Sequence, residues 1–237
     1  MSVPGARAMP TISVVIPTMD EEASLGRVLE EVRAALAGWD HEVLIVDTNS
    51  RDRTREIASQ AGARVVDEPR LGYGRAYRTG FAAARGGIVA TLDADLTYSA
   101  DRIPEFARLV ASGAADFVSG DRLSDLPAGA MSGMHQVGNA ILNATARVLY
   151  GYSIRDSQSG MWVFRRSILD GLALRNPGMA FSEDLKLEVI RKGHKFLEMP
   201  IAYRARVGAK KIHSVRDATK NEVWLIRKRF GWTGRKP

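Results

Sequence analysis

The sequence predicts an α/β domain in which a mainly parallel β-sheet is sandwiched by helices, with a basic C-terminal helical tail. Short β-branched runs alternate with segments of helical periodicity, the pattern expected when helices cover both faces of a parallel sheet. A chain of 237 residues with 45% hydrophobic content is sufficient for one such core. Aspartates also follow two of the predicted strands, at the sheet edge where open α/β folds bind ligands.

The individual elements follow from the length and period of each apolar run. Strands are predicted at 12–16, 42–46, 63–66, 88–92, 117–119, 159–164 and 196–201. Helices are predicted at 21–36, 53–61, 72–85, 101–112, 134–149, 181–192 and 214–230. In the helix over 181–192, Ser182 is the expected N-cap, with acidic residues in the first turn.

Composition excludes several classes of protein. The chain has no cysteine, so disulfide frameworks, thiolate zinc sites and cysteine nucleophiles are excluded. It shows no signal peptide and no apolar run of membrane-spanning length, so we expect a cytoplasmic protein. Positive charge is concentrated at 203–237, which holds 11 of the 34 Lys/Arg but 2 of the 27 Asp/Glu. Such a tail can bind substrate phosphates, an anionic bilayer or nucleic acid. The alternative is a basic helix that is exposed to solvent and binds none of them.

The acidic segment Asp93-Ala94-Asp95 directly follows the buried strand over 88–92. Two carboxylates one residue apart can hold Mg²⁺ or Mn²⁺, which prefer oxygen ligands and keep positions for substrate phosphates. The ion would then neutralise charge on a departing nucleotide. The alternative is a polar turn that merely ends the strand.

Two further segments leave predicted strands. Pro17 to Glu22 opens the first helix, where backbone N–H groups and an acidic side chain can contact a base and ribose. Asp47 ends the second strand and can accept a hydrogen bond from a base N–H.

The segments IPTMDEE, IVDTNSRDRT, LGYGRAYRTGF and TLDADLTY occur in this order along the chain. Together they resemble the inverting glycosyltransferases of family 2, which have the Rossmann-like GT-A fold. Within that family the resemblance is to dolichyl- and polyprenyl-phosphate hexosyltransferases, and it covers roughly residues 11–213. It implies a GT-A catalytic domain at 11–202 and, at 203–237, a basic segment with the C-terminal helix that faces acceptor phosphate and membrane.

The resemblance also implies roles for individual residues. Those expected at the nucleotide sugar are Pro17, Thr18, Asp20, Glu21, Asp47, Asp93, Ala94, Asp95 and Arg122, with Asp93 and Asp95 binding the metal. Those expected at the acceptor or its phosphate are Asp156, Ser159, Arg204, Arg206, Lys210 and Lys211. The segment 203–211 departs from the family pattern in spacing and in Lys210, which stands where serine is usual. Arg122 has an alternative reading, a surface ion pair with Asp121.

The expected catalytic residues are Asp95, Arg122 and Asp184, and the role of Asp184 depends on the acceptor. A hydroxyl acceptor needs a carboxylate base, and Asp184 is the candidate. A lipid phosphate is already anionic and needs cations instead. We favour hexose transfer from a GDP-mannose or UDP-glucose type donor to polyprenyl or dolichyl phosphate. The basic and aromatic tail would then bind the cytoplasmic membrane surface peripherally, with a membrane protein as a further partner.

Other classes of function fit the sequence less well. A nucleotidyltransferase should have a Gly-rich, Arg-containing loop after the first strand, and residues 16–21 contain neither residue type. The basic tail alone suggests a nucleic-acid-binding module, but no such motif is present and we expect no nucleic acid partner. An inactive relative is disfavoured by the retained acidic pair.

Overall fold

The computed structural model describes residues 12–127, 131, 133–208 and 214–231 and contains a seven-stranded sheet. Its strands are β1 (Ile12–Thr18), β2 (His41–Asp47), β3 (Arg64–Asp67), β4 (Ile88–Thr91), β5 (Phe117–Asp121), β6 (Trp162–Arg165) and β7 (Phe196–Pro200). Their order is β3-β2-β1-β4-β6-β5-β7, and β6 runs antiparallel to both of its neighbours. The other pairings are parallel, which confirms the mainly parallel sheet.

Each predicted helix is present. They are α1 (Leu25–Ala35), α2 (Thr54–Gln60), α3 (Tyr73–Ala83), α4 (Ile103–Ala111), α5 (Gly133–Tyr150), α6 (Phe181–Arg191) and α7 (Ser214–Arg229). Short 3₁₀ turns occupy Ala100–Arg102 and Arg166–Gly171.

The start of α1 and the N-cap of α6 differ from prediction. Helix α1 begins four residues late, because the backbone N–H groups of Asp20, Glu21 and Glu22 donate to side chains of the segment that follows β2 and of the first residue of α2. Helix α6 begins at Phe181 and follows Ala180 with no side-chain cap. The predicted Ser182 N-cap is therefore wrong, since that serine is a buried residue within the first turn.

Apolar side chains fill both faces of the sheet. On one face, α1, α2 and α4 pack against β1, β4 and the segment that follows β4. On the other face, α3 and α6 pack against alternate residues of the same strands. Helix α3 lies close to the sheet at Gly80, where a methyl group would lie 2.8 Å from a Val46 methyl and overlap Val15. This close approach places the first turn of α3 beside the end of β4.

Helices α5 and α7 pack against each other around Leu142, Ile154, Leu187 and Leu225. The Tyr150 hydroxyl donates to the Leu225 carbonyl at 2.8 Å, and Thr145 donates to Glu222 at 2.5 Å. Within the described ranges, none of the helices is both long and apolar enough to cross a bilayer. The division of the chain at 202/203 remains a prediction.

Candidate active site

A cavity of about 280 Å³ opens at the carboxyl ends of β1 and β4. Parallel neighbours in this sheet end on the same side, and β1 pairs with both β2 and β4. Side chains that are distant in sequence therefore converge there, as the position of the aspartates predicted. The structure brings together seven predicted site residues along its wall, namely Pro17, Thr18, Glu21, Asp93, Ala94, Asp95 and Arg206.

The two aspartates after β4 lie in different surroundings. Oδ1 of Asp95 accepts hydrogen bonds from the backbone N–H and the hydroxyl of Thr97, at 3.0 and 2.6 Å. Asp93 lies against tyrosines, with Oδ1 at 3.4 Å from the Tyr73 hydroxyl and 3.5 Å from the Tyr77 hydroxyl. Burial, and then the charge of Asp95, raise the pKa of Asp93 to about 7.

This pair of carboxylates fits a hard divalent cation. Two buried carboxylates that repel each other are stabilised in the charged form when a cation lies between them. In the described part of the chain no cluster of three or more His, Cys, Asp or Glu side chains could hold a metal ion. An ion held by Asp93 and Asp95 would therefore take its other ligands from water and substrate phosphate, which is the usual coordination of Mg²⁺.

Arg206 connects the aspartates to the other side of the cavity. Its Nη1 lies 3.3 Å from Oδ2 of Asp95, and its Nη2 lies 3.3 Å from Oε1 of Glu21. The backbone around it is fixed, because the N–H groups of Arg204 and Val207 donate to the carbonyls of Thr97 and Asp95 at 2.9 and 3.0 Å. A guanidinium therefore lies on the cavity wall between Asp95 and Glu21.

Arg122 and Asp156 form a buried ion pair beside the cavity. Nε and Nη2 of Arg122 each donate to an Asp156 carboxylate oxygen at 2.7 Å, and the Arg122 backbone N–H donates at 3.0 Å. These bonds hold the pKa of Asp156 below its usual value against the effect of burial. Asp121 instead binds Leu123 and Ser124, so the alternative Asp121–Arg122 pair is wrong. Neither Arg122 nor Asp156 lines the cavity.

Four other predicted residues lie outside the cavity wall. Asp47 is buried, accepts from the Ser50 hydroxyl and pairs with Arg55 at 3.0 Å. Asp20 has a left-handed backbone and accepts from the Arg51 N–H at 2.7 Å. Arg204 pairs with Glu31 of α1 at 2.8 Å. Ser159 is buried, and its carbonyl accepts from the Trp162 indole at 2.7 Å.

Asp184 does not face the cavity. Its Oδ2 accepts the backbone N–H groups of Arg175 and Asn176 at 2.7 and 2.9 Å, and its Oδ1 pairs with the Lys228 ammonium of α7. With both oxygens engaged and the side chain fully buried, this geometry disagrees with the predicted role as a base. Lys210 and Lys211 lie outside the described residues.

Sequence reasoning missed several residues of the cavity wall. These are Met19, Thr48, Leu71, Gly72, Tyr73, Ala76 and Met179. Tyr73 belongs to the LGYGRAYRTGF segment, where the spacing of Tyr73 and Tyr77 by one helical turn was an available signal. No comparable signal identifies Met179, because it belongs to a loop that follows Asp95 by more than 80 residues in the sequence.

Comparison with known proteins identifies relatives among the glycosyltransferases. Two similar proteins are from Haloferax volcanii. The low-salt glycan biosynthesis hexosyltransferase Agl6 is 36% identical over 92% of this chain and 53% of its own length. A dolichyl-phosphate hexose transferase is 35% identical over 85% of this chain and 86% of its own length. The chain thus spans about half the length of the first relative and most of the second.

The fold is also that of a solved glycosyltransferase. Glucosyl-3-phosphoglycerate synthase from Mycobacterium tuberculosis, in complex with Mn²⁺, UDP-glucose and phosphoglyceric acid, superposes with a TM-score of 0.77 at 22% identity. The match covers 98% of this chain and 87% of that one, in agreement with the expected GT-A fold. The family model described as glycosyl transferase family 2 matches residues 13–172. The chain therefore belongs to glycosyl transferase family 2.

Proposed function

We propose that this chain transfers a hexose from a nucleotide sugar of the GDP-mannose or UDP-glucose type to a polyprenyl or dolichyl phosphate, with inversion. The observation that carries the proposal is the convergence of Asp93, Asp95 and Arg206 on one cavity at the strand ends. The name of the Haloferax dolichyl-phosphate hexose transferase, which aligns over most of both chains, supports this acceptor class.

On the donor side, the leaving group is a nucleoside diphosphate, and its negative charge must be stabilised. Asp93 and Asp95 would hold Mg²⁺ or Mn²⁺, which supplies Lewis-acid stabilisation of the diphosphate when bound. Arg206 is positioned to donate charge-assisted hydrogen bonds to a phosphate in the same cavity. Thr97 holds Asp95 through two hydrogen bonds, so this carboxylate needs little rearrangement when the donor binds.

On the acceptor side, the cavity offers cationic binding but no obvious base. Among the described residues, the carboxylates on its wall are Glu21, Asp93 and Asp95. Glu21 and Asp95 face Arg206, and Asp93 belongs to the proposed metal site. Because a hydroxyl acceptor needs a base and a phosphate monoester does not, this arrangement favours the phosphate acceptor. Lys210 and Lys211 keep their predicted roles at the acceptor phosphate as part of this proposal.

The paired helices α5 and α7 support action at a membrane surface. Both expose large apolar side chains at helical spacing, namely Met134, Val137, Ile141 and Val148 on α5 and Val223 and Ile226 on α7, with Phe230 directly after α7. Val148 and Phe230 are 82% and 73% exposed. Arg147, Arg227 and Arg229 are exposed near them. Apolar and basic side chains on neighbouring helices suit the interface of a bilayer that contains anionic lipid.

A donor-by-acceptor assay tests the transfer. Purified protein with Mg²⁺ or Mn²⁺ is given GDP-mannose, UDP-glucose or UDP-N-acetylglucosamine, with and without polyprenyl phosphate. Asp95→Ala is the test variant, and Asp170→Ala, an exposed carboxylate outside the cavity wall, is the matched control. We expect lipid-linked hexose from the wild type and from Asp170→Ala, and none from Asp95→Ala.

The opposite outcome is equally specific. Release of nucleoside diphosphate with a saccharide or small-molecule hydroxyl acceptor, and no lipid product with any donor, would overturn the phosphate acceptor.

Membrane action is tested by co-sedimentation with phosphatidylglycerol-containing vesicles. The doubly substituted Val148→Ser/Phe230→Ser protein should bind them less than the wild type. If the wild type bound purely zwitterionic vesicles as well as the anionic ones, the basic side chains would not contribute to membrane binding as proposed.

A further inference from the structure

Two tyrosines of α3 converge on the carboxylate of Asp93. Tyr73 and Tyr77 lie one helical turn apart, so both side chains project from the same face of α3. Their hydroxyl oxygens lie 3.4 and 3.5 Å from Oδ1 of Asp93 and 3.5 Å from each other. These contacts are long, as hydrogen bonds in catalytic sites often are before ligands bind.

The tyrosine rings are held in place by other aromatic side chains. Tyr77 is fully buried, lies parallel to Phe181 with ring centroids 5.9 Å apart, and contacts Trp162 at 5.0 Å. Tyr73 packs edge-to-face on Tyr77 at 4.8 Å. Because Tyr77 cannot shift without disturbing the core, its hydroxyl is fixed before any ligand binds, and the ring of Tyr73 packs against it at the cavity wall.

Three glycines permit this arrangement. Gly72, with φ of 145°, and Gly74 lie against the backbone of the segment before α6, where a methyl on either residue would overlap a carbonyl oxygen. On the opposite side of Tyr73, a methyl on Gly160 would overlap the tyrosine hydroxyl while making ordinary contact with Asp93, at 3.4 Å. The Tyr73 hydroxyl therefore lies in a space bounded by Gly160 and Asp93.

We propose that Tyr73 and Tyr77 are positioning residues that orient the Asp93 carboxylate for the divalent cation. The inference rests on the proposed function, because it assumes that Asp93 and Asp95 bind that ion. Groups that hydrogen-bond to a metal-binding side chain fix its orientation, and their removal typically lowers metal affinity about 10- to 100-fold. The Gly-Tyr-Gly start of α3 thereby gains a function in building the metal site.

The first test measures Mn²⁺ affinity directly, by electron paramagnetic resonance titration of the metal alone. Tyr73→Phe and Tyr77→Phe each remove one oxygen and keep the ring, so both should fold. We expect each to bind Mn²⁺ about tenfold more weakly than the wild type. Tyr150→Phe is the matched control, since it removes a phenol hydroxyl that bonds to the Leu225 carbonyl, away from the cavity. Its Mn²⁺ affinity should equal that of the wild type.

The second test uses the overlap between Gly160 and Tyr73. Gly160→Ala should weaken Mn²⁺ binding in the wild-type background, because its methyl displaces the Tyr73 hydroxyl. In the Tyr73→Phe background the same substitution should cause little further loss, because the overlapping oxygen is gone. An equal loss in both backgrounds would overturn the inference.

The outcomes separate the two proposals. A wild-type protein that binds no Mn²⁺, either alone or with UDP or GDP, would overturn the proposed metal use and this inference together. A wild type that binds Mn²⁺ while Tyr73→Phe and Tyr77→Phe bind it equally well would overturn the inference alone. Circular dichroism and the thermal midpoint check that each variant is folded.

Discussion

Replacing Arg122 with methionine tests the buried ion pair beside the active site. The Asp156 side chain is 0% exposed and that of Arg122 is 9% exposed, and three hydrogen bonds join the two residues. Methionine fills similar space but leaves a buried carboxylate without its main partner, which typically costs about 3–5 kcal/mol. Lys186 remains close to Asp156 and lowers its pKa further, so we expect the lower end of that range.

The assay is thermal and urea unfolding of the variant. A loss of about 3 kcal/mol corresponds to a fall of about 6–12 °C in the midpoint for a domain of this size. The double variant Arg122→Met/Asp156→Leu removes both charges of the pair and should recover part of the stability, since the buried Lys186 then loses a neighbouring carboxylate. Arg53→Met breaks a surface ion pair with Glu56 and should leave the midpoint unchanged.

The pH dependence gives a second check with a defined sign. In the wild type the pKa of Asp156 is lowered, so the contribution of the pair is present above the unfolded-state pKa of about 4. It is lost as pH falls through the lower folded-state pKa. Without Arg122, burial dominates and raises that pKa, so the variant should lose stability as pH rises from the unfolded-state value. An Arg122→Met midpoint equal to that of the wild type would contradict this account of the ion pair. So would a double variant that is less stable than Arg122→Met.

Three further predictions concern other charged residues. Burial and the charge of Glu222 raise the pKa of Glu183 to about 8, so wild-type stability should fall by up to about 1.4 kcal/mol per pH unit between pH 5 and 8. Glu183→Gln should remove this pH dependence of the unfolding free energy, measured by urea titration. If the pH dependence persists in the variant, another group causes it. Asp184→Asn should lower the thermal midpoint, because it weakens the buried ion pair with Lys228, and should retain transfer to lipid phosphate. A folded variant that has lost this transfer would contradict the purely structural role that the ion pair indicates. Arg206→Gln should weaken binding of UDP or GDP with Mn²⁺ by about tenfold or more in calorimetry, since it removes a charged hydrogen-bond donor from the cavity. Unchanged nucleotide affinity would contradict the position assigned to this arginine.

Much of the fold was predictable because it depends on local pattern. The apolar runs and helical periods gave each strand and helix to within a few residues. The start of α1 was not predictable, since side chains of the segment after β2 bind the N–H groups that would otherwise begin the helix. The antiparallel direction of β6 also has no local signal, because it depends on how the long segment containing α5 returns to the sheet.

The site was predictable in its residue types but only partly in its partners. Asp93, Asp95 and Glu21 lie at the cavity because they follow strand ends, and that position is encoded locally. Arg122 and Asp184 are both buried charged residues whose partners, Asp156 and Lys228, are more than 30 residues away in the chain. Local sequence does not specify which of several charged residues becomes the ion-pair partner of a buried side chain.

The α/β class, the edge of the sheet that carries the acidic pair and the family all follow from the amino-acid sequence, because periodicity and motif order are properties of the chain. Three contacts are visible only in the folded protein: Arg206 faces Asp95, Asp184 faces Lys228, and two tyrosines of α3 reach Asp93. The physical reason is that burial makes each charged or polar group depend on the neighbour that packing brings to it. Those neighbours come from elements far apart in the sequence.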